Sequence, residues 1–159
     1  MHTSRSPLLI AAAFVAGLVV ACDKGTAPPA LEINAAGLSV GAQQLRISAA
    51  GQVTAGAEGV GSVHADGTFR VPDGRVVATI SAAGQVTIPG EPGEQLEIAA
   101  DGTVTSKGKV IAKIADDGTL SGGLVDELGA KGTAPRYDGP AAGRRAVMFA
   151  WLSAAPSKQ

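Results

Sequence analysis

The sequence predicts an all-β fold, an antiparallel meander of about six repeated β-hairpins that is rolled up or covered on its apolar side. Three observations carry this. A short pattern recurs six times across residues 31–121. Within each copy apolar and polar residues alternate, which is the period of a half-buried strand. Finally, 22 glycines and nine prolines interrupt 159 residues too often for long helices.

The copies are "LEINAAGLSV" from Leu31, "LRISAAGQVT" from Leu45, "GSVHADGTFRV" from Gly61, "VATISAAGQVTI" from Val77, "LEIAADGTVT" from Leu96 and "IAKIADDGTLS" from Ile111. Their central glycines are Gly37, Gly51, Gly67, Gly84, Gly102 and Gly118, spaced by 14, 16, 17, 18 and 16 residues. Each copy reads as a hairpin. A type I turn followed by one left-handed residue needs glycine at that last position. Asp66, Asp101 and Asp117 stand just before it, where a carboxylate can bond the local backbone.

The links "GAQQ", "PDGR", "PGEPGEQ" and "SKGK" are polar and rich in glycine or proline, and suit turns at the opposite edge. Pro72, Pro89 and Pro92 fall there, where no ladder hydrogen bond is required. One face of such a sheet carries Leu, Ile and Val and the other carries polar residues. That apolar face requires a barrel, a sandwich or a cover. The alternative architecture is a parallel β-solenoid, whose coils have a similar length. Turn glycines and uneven spacing favour the meander.

After Gly118 the repeat stops. "LVDEL", Leu124 to Leu128, suits a short helical turn, and "TAPRYDGPAAG" from Thr133 reads as a loop. "RRAVMFAWLSAA" from Arg144 is the most apolar stretch of the body of the chain. As a strand it places Val147, Phe149 and Trp151 on one face. As a helix it places Val147, Met148, Trp151 and Leu152 together. Periodicity does not decide a run this short. In either form it adds bulk to a core poor in large residues, or else docks onto a partner.

The N-terminus is a separate region. Arg5 and His2 precede "PLLIAAAFVAGLVVA", Pro7 to Ala21, which holds no charge. A transmembrane helix needs about 20 apolar residues, and this run is shorter. A basic start, a short apolar core and a small residue at the end describe an export signal. The single cysteine of the chain follows directly, as "VVAC", Val19 to Cys22.

That tetrapeptide resembles the lipobox of bacterial lipoproteins. The resemblance covers the first 22 residues and implies cleavage between Ala21 and Cys22, diacylglycerol on the Cys22 sulfur, and acylation of the new amino terminus. One acyl chain binds a membrane marginally, whereas two or more hold stably at about 0.8 kcal/mol per buried methylene. A cleaved signal followed by a free thiol is the plainer reading. It leaves an exported cysteine without a disulfide partner. "DKGTAPPA", Asp23 to Ala30, reads as a short tether.

Little in the remainder carries chemistry. Thirteen Lys and Arg balance 14 Asp and Glu, so no basic field invites nucleic acid. His64 is the only histidine after the signal, and its repeat position holds Asn, Ser or Ala in other copies. It reads as a turn residue rather than as a catalytic base. With Cys22 acylated, a Cys/His zinc site lacks ligands. Neither a Gly-x-Ser-x-Gly elbow nor a phosphate-binding loop is present. Asp66, Asp101, Asp116 and Asp117 could gather calcium if the turns stacked, but turn chemistry explains them without a metal.

The expected layout is a signal peptide over 1–21, a lipidated tether over 22–30, a hairpin-repeat domain over 31–121, and a C-terminal loop with an apolar capping segment over 122–159. The expected function is a non-catalytic structural or interaction role in a bacterial cell envelope. It needs no cofactor, metal or nucleic acid, and its membrane contact is the lipid at Cys22. The alternative is a carrier enclosing a small apolar ligand among Leu45, Ile47, Val86, Ile98 and Ile114.

Overall fold

The computed structural model describes residues 29–90, 95–129 and 134–154. Among these residues twelve strands form one antiparallel sheet. The first six are β1 (Ala36–Val40), β2 (Gln43–Ile47), β3 (Gln52–Ala55), β4 (Glu58–Val63), β5 (Thr68–Arg70) and β6 (Val76–Ile80). Then come β7 (Gln85–Thr87), β8 (Leu96–Ile98), β9 (Val104–Ser106), β10 (Lys109–Ile114), β11 (Leu120–Ser121) and β12 (Arg136–Asp138). Two α-helices, α1 (Gly123–Gly129) and α2 (Arg144–Ala154), flank β12, and a 3₁₀ turn over Ala141–Gly143 leads into α2.

Strands β1 to β11 are a pure meander, each pairing with its neighbour in sequence. Strand β12 pairs with β1, with Tyr137 opposite Leu38. On its other side Arg136 bridges Thr119, and the Tyr137 N–H donates to the Gly118 carbonyl at 2.7 Å. The sheet is thereby nearly closed into a barrel, and the parallel solenoid is excluded.

Five of the six repeat copies form hairpins with one local geometry. In "HADGT" the Gly67 N–H donates to the His64 carbonyl at 2.9 Å, and the His64 N–H donates to the Thr68 carbonyl at 3.0 Å. The same pair of bonds recurs around Gly51, Gly84, Gly102 and Gly118. This is the type I turn closed by a left-handed glycine. Gly67 is the sharpest case. Its φ is +85°, and a Cβ there would run into the carbonyl oxygen of Ile80. The approach is close because the Ile80 N–H donates to the Gly67 carbonyl at 2.7 Å. The carbonyls of Gly51, Gly84 and Gly118 likewise accept the N–H groups of Val63, Ile98 and Tyr137, so four of the five turns are knitted to a later strand.

The first copy departs from the pattern. Residues 31–35 form no strand, and Gly37 sits inside β1 rather than in a turn. The edge of β1 that a hairpin partner would have used is occupied by β12. The twelfth strand thus comes from the stretch expected to be a loop.

Segment 144–154 is helical and central. Ala146, Val147, Met148, Phe149, Ala150 and Trp151 are all buried. At 3.6 residues per turn, six consecutive residues face every direction around the axis. A helix apolar and buried all round belongs in an interior. Helix α2 contacts β1, β2, β4, β6 and β8, strands from around the wall. The barrel is wrapped about it. Phe149 meets Phe69 of β5 edge-to-face, with ring centroids 6.5 Å apart and planes at 89°. The wall contributes alternate residues, among them Leu38, Ile47, Val63, Ile98, Val104 and Ile114, all buried.

Candidate functional site

The two ends of the barrel differ. One end carries the five glycine turns of the repeat, the start of α2 and the incoming chain. There the Leu31 N–H donates to the Ala65 carbonyl at 3.3 Å, and the Ala30 methyl lies against Gly67. The opposite end carries the linking turns, including Gly41–Ala42 between β1 and β2, and receives the C-terminal end of α2.

Cys22 and Ala21, the expected lipidation and cleavage positions, lie outside the described residues. So does Pro92, whereas Pro72 and Pro89 sit in linking turns as expected.

At the repeat-turn end the aspartates serve the turns. Asp66 Oδ1 accepts the Thr68 N–H at 3.0 Å and the Thr68 hydroxyl at 2.7 Å. Asp101 accepts the Thr103 N–H at 2.9 Å, and Asp117 accepts that of Thr119 at 2.9 Å. In the copies lacking this aspartate, serine opens the turn and substitutes. Ser48 Oγ accepts the Gln52 N–H at 3.1 Å, and Ser81 Oγ accepts that of Gln85 at 3.2 Å. Both solutions satisfy the same N–H, the one just after the turn glycine.

These bonds favour the ionised carboxylate. The Thr68 hydroxyl, then its N–H, hold Asp66 below the usual aspartate range. The N–H of Thr103 does the same for Asp101, and that of Thr119 for Asp117. Asp116 instead accepts from Arg144 Nη1 at 3.3 Å. His64 Nε2 lies 3.0 Å from the Ser62 hydroxyl. Among the described residues no three His, Cys, Asp or Glu side chains converge.

Segment 144–151 does not present a docking face. Its apolar residues are core, Arg145 donates to the Ala82 carbonyl at 3.0 Å, and the Arg144 side chain is largely covered. Tyr137 is buried and donates its hydroxyl to the Pro140 carbonyl at 2.6 Å, which fixes the turn into α2. Burial raises the Tyr137 pKa.

A depression of about 660 Å³ on the outer face is lined by Ser39, Arg46, Arg136 and Asp138, whereas the apolar concave feature is at the opposite mouth. A pocket of about 360 Å³ opens beside the end of α2. Leu38, Val40, Leu45 and the Trp151 ring form its apolar walls, and Gln43 and Gln44 stand at its rim. Among the described residues none that lines it is charged. Of the five residues expected around a ligand cavity, only Leu45 is here. Ile47, Val86, Ile98 and Ile114 belong to the packed core. No local motif marks this pocket, because β1, β2, the β3–β4 turn and α2 each supply part of it. The one sequence signal was the single tryptophan.

No protein-family model matches the chain, and no curated protein or solved structure matches it either.

Proposed function

We propose that this chain is a lipid-anchored protein of a bacterial cell envelope. Its body is a barrel filled by its own helix, with a non-catalytic structural or interaction role. The observation that supports this most is the occupied interior. A barrel wrapped on six consecutive buried residues of α2 has no open lumen along its axis. What it offers other molecules is its outer wall and its two ends.

The tether implied by the lipobox resemblance reaches the body at Ala30 and Leu31, on the repeat-turn end. An acylated Cys22 would hold that end toward the bilayer and turn the Trp151 mouth away from it. Replacing Cys22 with Ala tests the anchor. Incorporation of labelled palmitate and sedimentation with membranes are both expected to be lost. A C22A chain that still sediments after detergent-free washing refutes lipid anchorage.

A second reading, carriage of a small apolar ligand, has one feature in its favour, the mouth pocket beside Trp151.

A further inference from the structure

The mouth pocket differs from the rest of the surface in composition. Its walls are three aliphatic side chains and one indole, all almost wholly buried, with Leu38 and Val40 2 % exposed and Trp151 4 % exposed. Its volume falls within the range of small-molecule sites, which are mostly apolar with a few polar groups to orient the ligand. Here the polar side chain is the amide of Gln43, which lies on the same strand face as Leu45, opposite Val40. It is neutral, and it can donate and accept.

From these features we infer that the pocket binds a single aliphatic chain bearing an uncharged polar head. The chain lies against Leu38, Val40, Leu45 and Trp151, and the head meets the amide of Gln43. The inference rests on the carrier reading and narrows it. A carboxylate or ammonium head would enter a site with no countercharge among the described residues of its lining, and a charge desolvated without a partner is strongly disfavoured. A hydroxyl or glyceryl head loses far less water and recovers hydrogen bonds from the Gln43 amide. Aromatic ligands are less well served, since three of the four walls are branched aliphatics.

Trp151 is the only tryptophan in the chain, so its fluorescence reports this site alone. The full chain, purified from membranes and held in phosphatidylcholine vesicles, is titrated with terminally brominated octanol and, separately, with terminally brominated octanoate at pH 8. Bromine quenches the indole only at contact. Saturable quenching by the alcohol is expected, with affinity about tenfold above that of the carboxylate.

Ala55 faces the mouth opposite Leu45 and is exposed, so Ala55→Leu adds bulk there without crowding the core. This variant is expected to keep the parent melting temperature and to lose quenching at least tenfold. If neither compound quenches saturably, the pocket is no ligand site and the carrier reading falls with it. If the two bind equally, or the carboxylate binds better, the carrier reading stands and the uncharged-head inference is overturned. Undiminished quenching in Ala55→Leu overturns the placement at the mouth.

Discussion

Replacing Phe149 with Ala tests whether the barrel depends on its internal helix. Phe149 is fully buried at the middle of α2, and its ring meets that of Phe69 edge-to-face. Truncating a buried Phe removes the transfer free energy of the ring and leaves a cavity. Together these cost about 3–5 kcal/mol. Domains have about 5–15 kcal/mol in total, so the variant sits near the edge of folding. At about 3–4 °C per kcal/mol for this size, the midpoint falls by roughly 9–20 °C. Urea unfolding followed by Trp151 fluorescence gives the free energy. The slope against urea should not change, because the same surface is exposed on unfolding.

Phe69→Ala and the double variant complete the cycle. An edge-to-face pair carries a coupling of about 0.5–1.5 kcal/mol beyond its buried area. The double variant is therefore expected to be less destabilised than the sum of the two singles by that amount. A Phe149→Ala cost below about 1 kcal/mol, or strict additivity with Phe69→Ala, would refute the placement of α2 inside the barrel.

Gly67→Ala and Gly56→Ala separate two demands on turn glycines. Both residues have positive φ, but only at Gly67 does a Cβ collide with backbone, while at Gly56 it meets nothing. Denaturant midpoints should show about 1–2 kcal/mol lost at Gly56 and clearly more at Gly67. The aspartate turns give a pH dependence. Asp66 and Asp101 are held below their unfolded values, so their stabilisation is complete above the unfolded aspartate pKa and disappears as pH falls through the lower folded values. The melting temperature should be level at neutral pH and decline below about pH 4, and Asp66→Ala should make that decline shallower. Trp151→Phe removes a buried indole N–H that has no hydrogen-bond partner. An unsatisfied buried donor costs about 1–3 kcal/mol, which offsets the lost contact area. Calorimetry should therefore show Trp151→Phe far closer to the parent than Trp151→Ala.

The hairpins were legible in the sequence because their turns are local. Ser48 or Asp66, the glycine, and the N–H that follows lie within five residues, so the signature survives without tertiary context. Strand β12 was not legible. "PRYDG" holds one apolar residue between proline and glycine, and its strand character comes from β1 and Thr119, both distant in sequence. The form of 144–154 was hidden for another reason. Apolar residues at every position from 146 to 151 satisfy both the two-residue and the 3.6-residue period. A helix enclosed on all sides is the case in which periodicity carries no information. "NAAG" matched the repeat in letters, but the partner strand that would have made it a hairpin is displaced by β12. The mouth pocket assembles from three separated segments, the β1–β2 hairpin, the β3–β4 turn and α2, and no short motif reports it.

The order of elements along the chain has a consequence for biogenesis. Helix α2 follows all twelve strands, yet they pack around it. As the chain emerges from a ribosome, every strand appears before the element that fills their common interior. Until residues near 151 are free, strand pairing can begin but the wall has nothing to close upon. The barrel therefore closes late, after α2 has been made, rather than strand by strand.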